Sequence, residues 1–117
     1  MIKGIGLDIV EIARIAKAMQ RTDKFKERIL SEREKEIFYT HSETRQVEFL
    51  AGRFAAKEAF SKAYGTGIGK ECELHDVEIL RGEAGNPVLY FKGEIINGFV
   101  SITHTKEYAA AQVIIML

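Results

Sequence analysis

Polar or small residues alternate with apolar ones at the start of the chain. In IKGIGLDIV, Ile2, Gly4, Gly6 and Asp8 fall on one face and Lys3, Ile5, Leu7 and Ile9 on the other. A period of two with one strongly apolar face predicts a strand, and the two glycines leave space beside Asp8. The period then lengthens. Ile12, Ile15 and Met19 recur at helical spacing, which predicts a short amphipathic helix over residues 11 to 21. Ser31 and Glu34 have the spacing of a capping box and predict a second short helix through Tyr39, with Ile37 and Phe38 as its apolar contacts. Ser42 is placed to cap a long helix from Glu43 to Tyr64, which Gly65 closes by taking the left-handed conformation.

Beyond Gly65 the period returns to two. LHDVEIL (74–80), PVLYF (87–91), FVSITH (99–104) and YAAAQVIIML (108–117) predict four strands, with turns at 82–87 and 105–107. One strand, three helices and four strands make an α+β domain, its largely antiparallel sheet packed on one long helix and two short helices. Residues 113–117 are apolar on both faces, which suits a buried strand or an interface.

Composition narrows the picture. The chain has 117 residues, 46% of them hydrophobic, which suits a single domain over 1–117. Lys+Arg and Asp+Glu number 17 each, so no net charge argues for nucleic acid or an anionic membrane. The lone cysteine, Cys72, cannot form an internal disulfide, and no segment reads as a secretory leader or a membrane span. The expectation is a soluble cytoplasmic protein.

Charge placement within the long helix carries more. Gly52, Ala55, Ala59 and Ala63 line one side and Phe49, Phe60 and Tyr64 another, yet Arg53, Lys57, Glu58 and Lys62 interrupt the same segment. Glu58 and Lys62 are spaced for an ion pair on a solvated strip. Arg53 and Lys57 are like charges at the same spacing, a repulsion that a bound anion between them would relieve. Asp8 and Glu11 have the D-x-x-E spacing that can cap a helix. Asp8 at a strand end beside glycines also suits a metal ligand: two carboxylates completed by phosphates and water are a fitting Mg²⁺ site, and too few for a protein-only Zn²⁺ or Ca²⁺ cage. GTGIGK (65–70) lacks the spacing of a phosphate loop. His104, on the face of Val100 and Ile102, reads by default as a core histidine.

Three blocks, GIGLDIVEI, GRFAAKEAFSKAYGTGIG and VSITHTKEYAAA, together resemble the holo-[acyl-carrier-protein] synthases, the short bacterial 4'-phosphopantetheinyl transferases, in order and spacing over essentially the whole chain. The resemblance implies the 4'-phosphopantetheinyl transferase fold and transfer of phosphopantetheine from coenzyme A to a serine of apo acyl carrier protein. Adenosine 3',5'-bisphosphate would be released. It implies Asp8 and Glu58 as Mg²⁺ ligands and Lys62 beside the diphosphate, these three forming the catalytic set. Arg53, Lys62, Gly65, His104 and Thr105 are implied as coenzyme A contacts. Either Glu58 or a metal-bound water would take the serine proton.

Arg14, Lys17, Arg21 and Lys24 recur at three and four along the first helix, a basic stripe suited to an acidic carrier protein. Longer relatives contain two similar halves, so the resemblance further implies a homo-oligomer, a trimer with active sites at subunit interfaces. The carboxy-terminal strand and the small-residue side of the long helix are the candidate contact surfaces. Two rivals remain: a small nucleotide or coenzyme A sensor that transfers nothing, against which Asp8 and Glu58 argue, and another Mg²⁺-dependent phosphotransfer or phosphodiester-cleaving enzyme, which would need neither the basic stripe nor coenzyme A.

Overall fold

The computed structural model describes all residues from Met1 to Leu117. Strand β1 (Ile2–Glu11) leads through α1 (Ile12–Arg21), α2 (Lys24–Ile29) and α3 (Glu32–Phe38) to the long α4 (Glu43–Tyr64). After a single 3₁₀ turn at Leu74–Asp76 come β2 (Val77–Arg81), β3 (Pro87–Phe91), β4 (Glu94–Ile95), β5 (Gly98–His104) and β6 (Tyr108–Met116).

The bounds of α4 follow from its local chemistry. Ser42 Oγ accepts the N–H of Arg45 at the start, and Gly65 ends the helix at φ 105°, a conformation that would strain any residue with a Cβ. The capping box of α3 also forms in full, with Ser31 Oγ and the Glu34 carboxylate each accepting the other's backbone N–H. No side chain caps α1: Glu11 stands at its N-cap position without a side-chain bond, and the first amide, on Ile12, donates to Glu107 O at 2.8 Å. The capping reading of Asp8 and Glu11 is therefore corrected.

The predicted sheet divides in two. One is ordered β1-β6-β5 and the other β2-β3-β4, both antiparallel. The last hairpin leaves the meander and pairs its β6 with the first strand of the chain. Helix α2 is also additional, so three short helices accompany α4 rather than two, and Lys24 opens α2 instead of extending α1.

Two apolar clusters hold these parts together. Ala55, Ala59 and Phe60 of α4 pack with Val77, Ile79, Leu89, Val100 and Val113 of the two sheets, and Leu50 packs with Ile15, Ile29 and Phe38 of the short helices and with Leu30 just after α2. The small-residue side of α4 is thus covered by the chain's own strands and is not a contact surface for another copy.

The opposite face of the first sheet is uncovered. Ile5, Leu7, Ile9 and Phe99 are 55%, 63%, 65% and 67% exposed, although an apolar strand face is ordinarily buried.

Candidate active site

The inward face of β1 is the glycine face. A Cβ on Gly6 would lie 1.8 Å from Ala59 O, and one on Gly4 would lie 2.0 Å from Ala63 O. Only glycine lets the strand approach the helix backbone this closely, and the approach sets Asp8 across from the Glu58–Lys62 turn of α4.

Lys62 Nζ donates to Asp8 Oδ1 and to Leu7 O, both at 3.0 Å. Its ion pair is with Asp8, so the expected strip pairing with Glu58 is replaced by a link from helix to strand. The Glu58 carboxyl is pushed above the ordinary carboxylate range, by burial first and then by the charge of Asp8, with Lys62 opposing. Asp8 and Glu58 share the wall of a cavity of about 450 Å³ with Arg14, Ile15, Phe25, Phe54 and Tyr108. The phenyl rings and Tyr108 were not singled out from sequence; Phe54 and Glu58, one helical turn apart, were the available signal.

Lys57 points the other way. Its ammonium is fully buried and donates to Ile29 O and Glu34 Oε1, while Glu34 Oε2 accepts the Ile79 N–H at 3.0 Å. Burial lowers the Lys57 pKa more than the Glu34 carboxylate restores it. Arg53 Nε lies 3.7 Å from Glu34 Oε2 without a hydrogen-bond partner, and its guanidinium rests on the Phe49 ring at 4.3 Å. The bound anion expected between Arg53 and Lys57 is corrected: the place is taken by the protein's own Glu34 carboxylate. Glu34, known from sequence only as a cap, joins α3, α4 and β2.

Arg53 also lines a second cavity, of about 380 Å³, with His41, Arg45, Glu48, Arg81 and His104. His104 is not a core residue: its side chain is 40% exposed and Nδ1 lies 4.0 Å from Glu48 Oε2. Arg45, Glu48 and Gly52, spaced for one helix face with Arg53 beside them, were the sequence signal for this cavity; nothing in the spacing pointed to Arg81. The two cavities share no lining residue, so one copy of the chain does not bring Arg53 and His104 to Asp8, Glu58 and Lys62.

Two further predicted contacts are otherwise engaged. The Gly65 N–H donates to Ser61 O at 3.0 Å and is spent on closing the helix, and Thr105 Oγ1 accepts the N–H groups of Glu107 and Tyr108 in the β5–β6 turn. Arg14, Lys17, Arg21 and Lys24 are all exposed, none forms an ion pair within the chain, and Arg14 reaches the cavity of Asp8 and Glu58. A separate group, Glu73, His75 and Asp76, has ligand atoms within 4.8 Å of one another at the 3₁₀ turn, where Asp76 Oδ2 already accepts the Glu73 N–H. Cys72 is buried, and burial pushes its thiol up to about 11, which leaves it unreactive.

Known proteins are similar to this chain in sequence and in fold. The holo-[acyl-carrier-protein] synthase of Bacillus pumilus is 60% identical over 118 residues, covering 98% of this chain and 96% of its own. That of Bacillus subtilis is 56% identical over 116 residues, with coverage of 98% and 96%. Among solved structures, a holo-(acyl-carrier-protein) synthase from Bacillus anthracis in complex with CoA (3',5'-ADP) superposes with a TM-score of 0.85 at 49% identity, covering 98% of this chain and 96% of its own. The Helicobacter pylori synthase in complex with coenzyme A gives 0.82 at 35% identity, covering 96% and 99%. The profile of the 4'-phosphopantetheinyl transferase superfamily matches residues 4–113, and the chain belongs to that superfamily as a holo-[acyl-carrier-protein] synthase.

Proposed function

We propose that this enzyme transfers the 4'-phosphopantetheine group of coenzyme A to a serine of apo acyl carrier protein, with Mg²⁺ held by Asp8 and Glu58, and releases adenosine 3',5'-bisphosphate. The observation that carries the metal assignment is the approach of β1 to α4, which sets a strand carboxylate and a helix carboxylate on one cavity wall. The donor set fits the ion: two carboxylates, with solvent access for water and phosphate oxygens to complete the shell of a small hard cation. When bound, Mg²⁺ would offset charge on the diphosphate and on the departing bisphosphate.

The chain's own groups do the rest. Lys62 stabilises negative charge on the diphosphate as the bond to the departing bisphosphate lengthens. The serine Oγ bonds the phosphorus that bears the pantetheine arm, and the bond from that phosphorus to the bridging oxygen breaks. Glu58, on the wall of the same cavity, is the carboxylate placed to take the serine proton. Arg14, Lys17 and Arg21 with Lys24 form the docking strip for an acidic carrier, and Arg14 marks where that strip meets the site.

Coenzyme A reaches across a subunit boundary. A second copy supplies the cavity of Arg45, Arg53, Arg81 and His104, which holds further phosphate, with Thr105 alongside it. The exposed face of Ile5, Leu7, Ile9 and Phe99 is the contact surface of a homotrimer. No helix is long and apolar enough to cross a membrane, and a single buried free thiol accords with a cytoplasmic location.

Incubation with coenzyme A, Mg²⁺ and apo carrier, followed by mass spectrometry, is expected to add one phosphopantetheine group to the carrier and yield adenosine 3',5'-bisphosphate. The Glu58→Gln variant should retain its fold and lose most turnover. Transfer at full rate with Mg²⁺ removed by chelation, or by Glu58→Gln, overturns the metal assignment.

A further inference from the structure

The carboxylate of Asp8 already has a cation. Lys62 Nζ is held by both Asp8 Oδ1 and the Leu7 carbonyl at 3.0 Å, and Glu58 lies one helical turn from Lys62 on the same side of the site. The three side chains together carry one net negative charge when ionised. A divalent ion bound between the carboxylates would stand within a few ångströms of an ammonium group of like sign, which repels it. The lysine is free to leave. Its side chain is 52% exposed, and a flexible four-carbon stem lets the ammonium swing where a guanidinium fork would not.

We propose that Lys62 is a resident counter-ion of the Asp8–Glu58 pair, displaced when the metal enters, so that metal and diphosphate bind cooperatively. This rests on Asp8 and Glu58 being the metal ligands. The free enzyme then binds the divalent ion weakly, because Lys62 competes for Asp8. Coenzyme A relieves the competition: its diphosphate gives the ammonium a new partner and draws it off the strand. By linkage the metal tightens coenzyme A by the same factor that coenzyme A tightens the metal.

The test is a Mn²⁺ titration of the full chain without coenzyme A, followed by the electron paramagnetic resonance signal of free Mn²⁺. Lys62→Met should bind Mn²⁺ about five-fold tighter than wild type or more, and added coenzyme A should tighten it further by a smaller factor than in wild type. Lys62→Gln, which keeps a polar group but no charge, should behave like Lys62→Met and guards against a packing artefact; circular dichroism checks that both are folded. Lys62→Arg, whose guanidinium does not swing away from Asp8, should bind Mn²⁺ more weakly than wild type and gain less from coenzyme A. Mn²⁺ affinity unchanged or weakened in both neutral variants, while Asp8→Asn and Glu58→Gln abolish binding, overturns the counter-ion role and leaves the metal site standing. Wild-type Mn²⁺ binding in Asp8→Asn and Glu58→Gln overturns the metal site and the inference with it.

Discussion

Replacement of Gly6 by alanine perturbs the contact on which the site is built. The added methyl carbon would lie 1.8 Å from Ala59 O, 2.8 Å from Ala59 C and 2.9 Å from Ala63 N. An ordinary carbon–oxygen contact is about 3.3 Å, so strand and helix must separate by about 1.5 Å. No rotamer relieves the clash, because every atom met belongs to the backbone of α4. Overpacking of this kind costs about 1–3 kcal/mol. At about 4 °C per kcal/mol for a domain of this size, Tm should fall by about 4–12 °C.

The same separation moves Asp8 away from α4 and so pulls apart the two carboxylates proposed to hold the metal, Asp8 on the strand and Glu58 on the helix. Transfer activity should therefore fall further than stability does, even at temperatures where the variant is fully folded. The assay pairs thermal unfolding by circular dichroism with steady-state transfer to apo carrier. Gly69→Ala is the control: no atom lies within 4 Å of its would-be Cβ, so Tm and rate should hold. A Gly6→Ala enzyme with wild-type Tm and wild-type turnover would refute the close-approach argument.

Three other outcomes follow from the same contacts. Lys57→Met leaves the buried Glu34 carboxylate with no hydrogen-bonded cation, and denaturant unfolding should record a loss of about 3–5 kcal/mol, partly recovered in the Glu34→Gln/Lys57→Met double variant. Glu78 is held below the ordinary carboxylate range, first by its hydrogen bond from Arg33, with Ser31 adding a second; its stabilisation is present above that range and is lost as pH falls through the lower folded-state value. Stability measured against pH should lose part of its acid-side slope in Glu78→Gln, and an unchanged slope would assign acid sensitivity elsewhere. Leu7→Asp or Phe99→Asp places a charge on the exposed apolar face, and light scattering should then find monomers, with transfer lost because each site lacks its second copy; intact, active assemblies would contradict the subunit contact.

What the sequence discloses depends on how far apart the cooperating residues are. Ser42 and Gly65 bound α4 correctly, and Ser31 with Glu34 located α3, because caps act within one turn of the chain. Helix α2 escaped notice: its six residues offer Phe25 and Ile29 as apolar positions and no side-chain cap at Asp23. The pairing of β6 with β1 joins opposite ends of the chain and leaves no local mark.

Site residues divide in the same way. Alternation in β1 separated the Gly4–Gly6–Asp8 face from the Ile5–Leu7–Ile9 face, yet only the structure assigns the glycines to the helix and leaves the larger residues exposed. Lys57 and Arg53 suggested an intervening anion by their repulsion, and its source, Glu34, lies 23 residues from Lys57 in the chain. Convergence of Asp8 with Glu58 was implied by family resemblance, and the fold supplies its physical cause.

Anomalous scattering from crystals grown with coenzyme A and Mn²⁺ tests the two-carboxylate metal site most directly. The prediction is one strong peak about 2.1 Å from an oxygen of both Asp8 and Glu58 and in contact with the diphosphate. A fully bound coenzyme A with Mn²⁺ found only at Glu73, His75 and Asp76, or touching neither Asp8 nor Glu58, would contradict it.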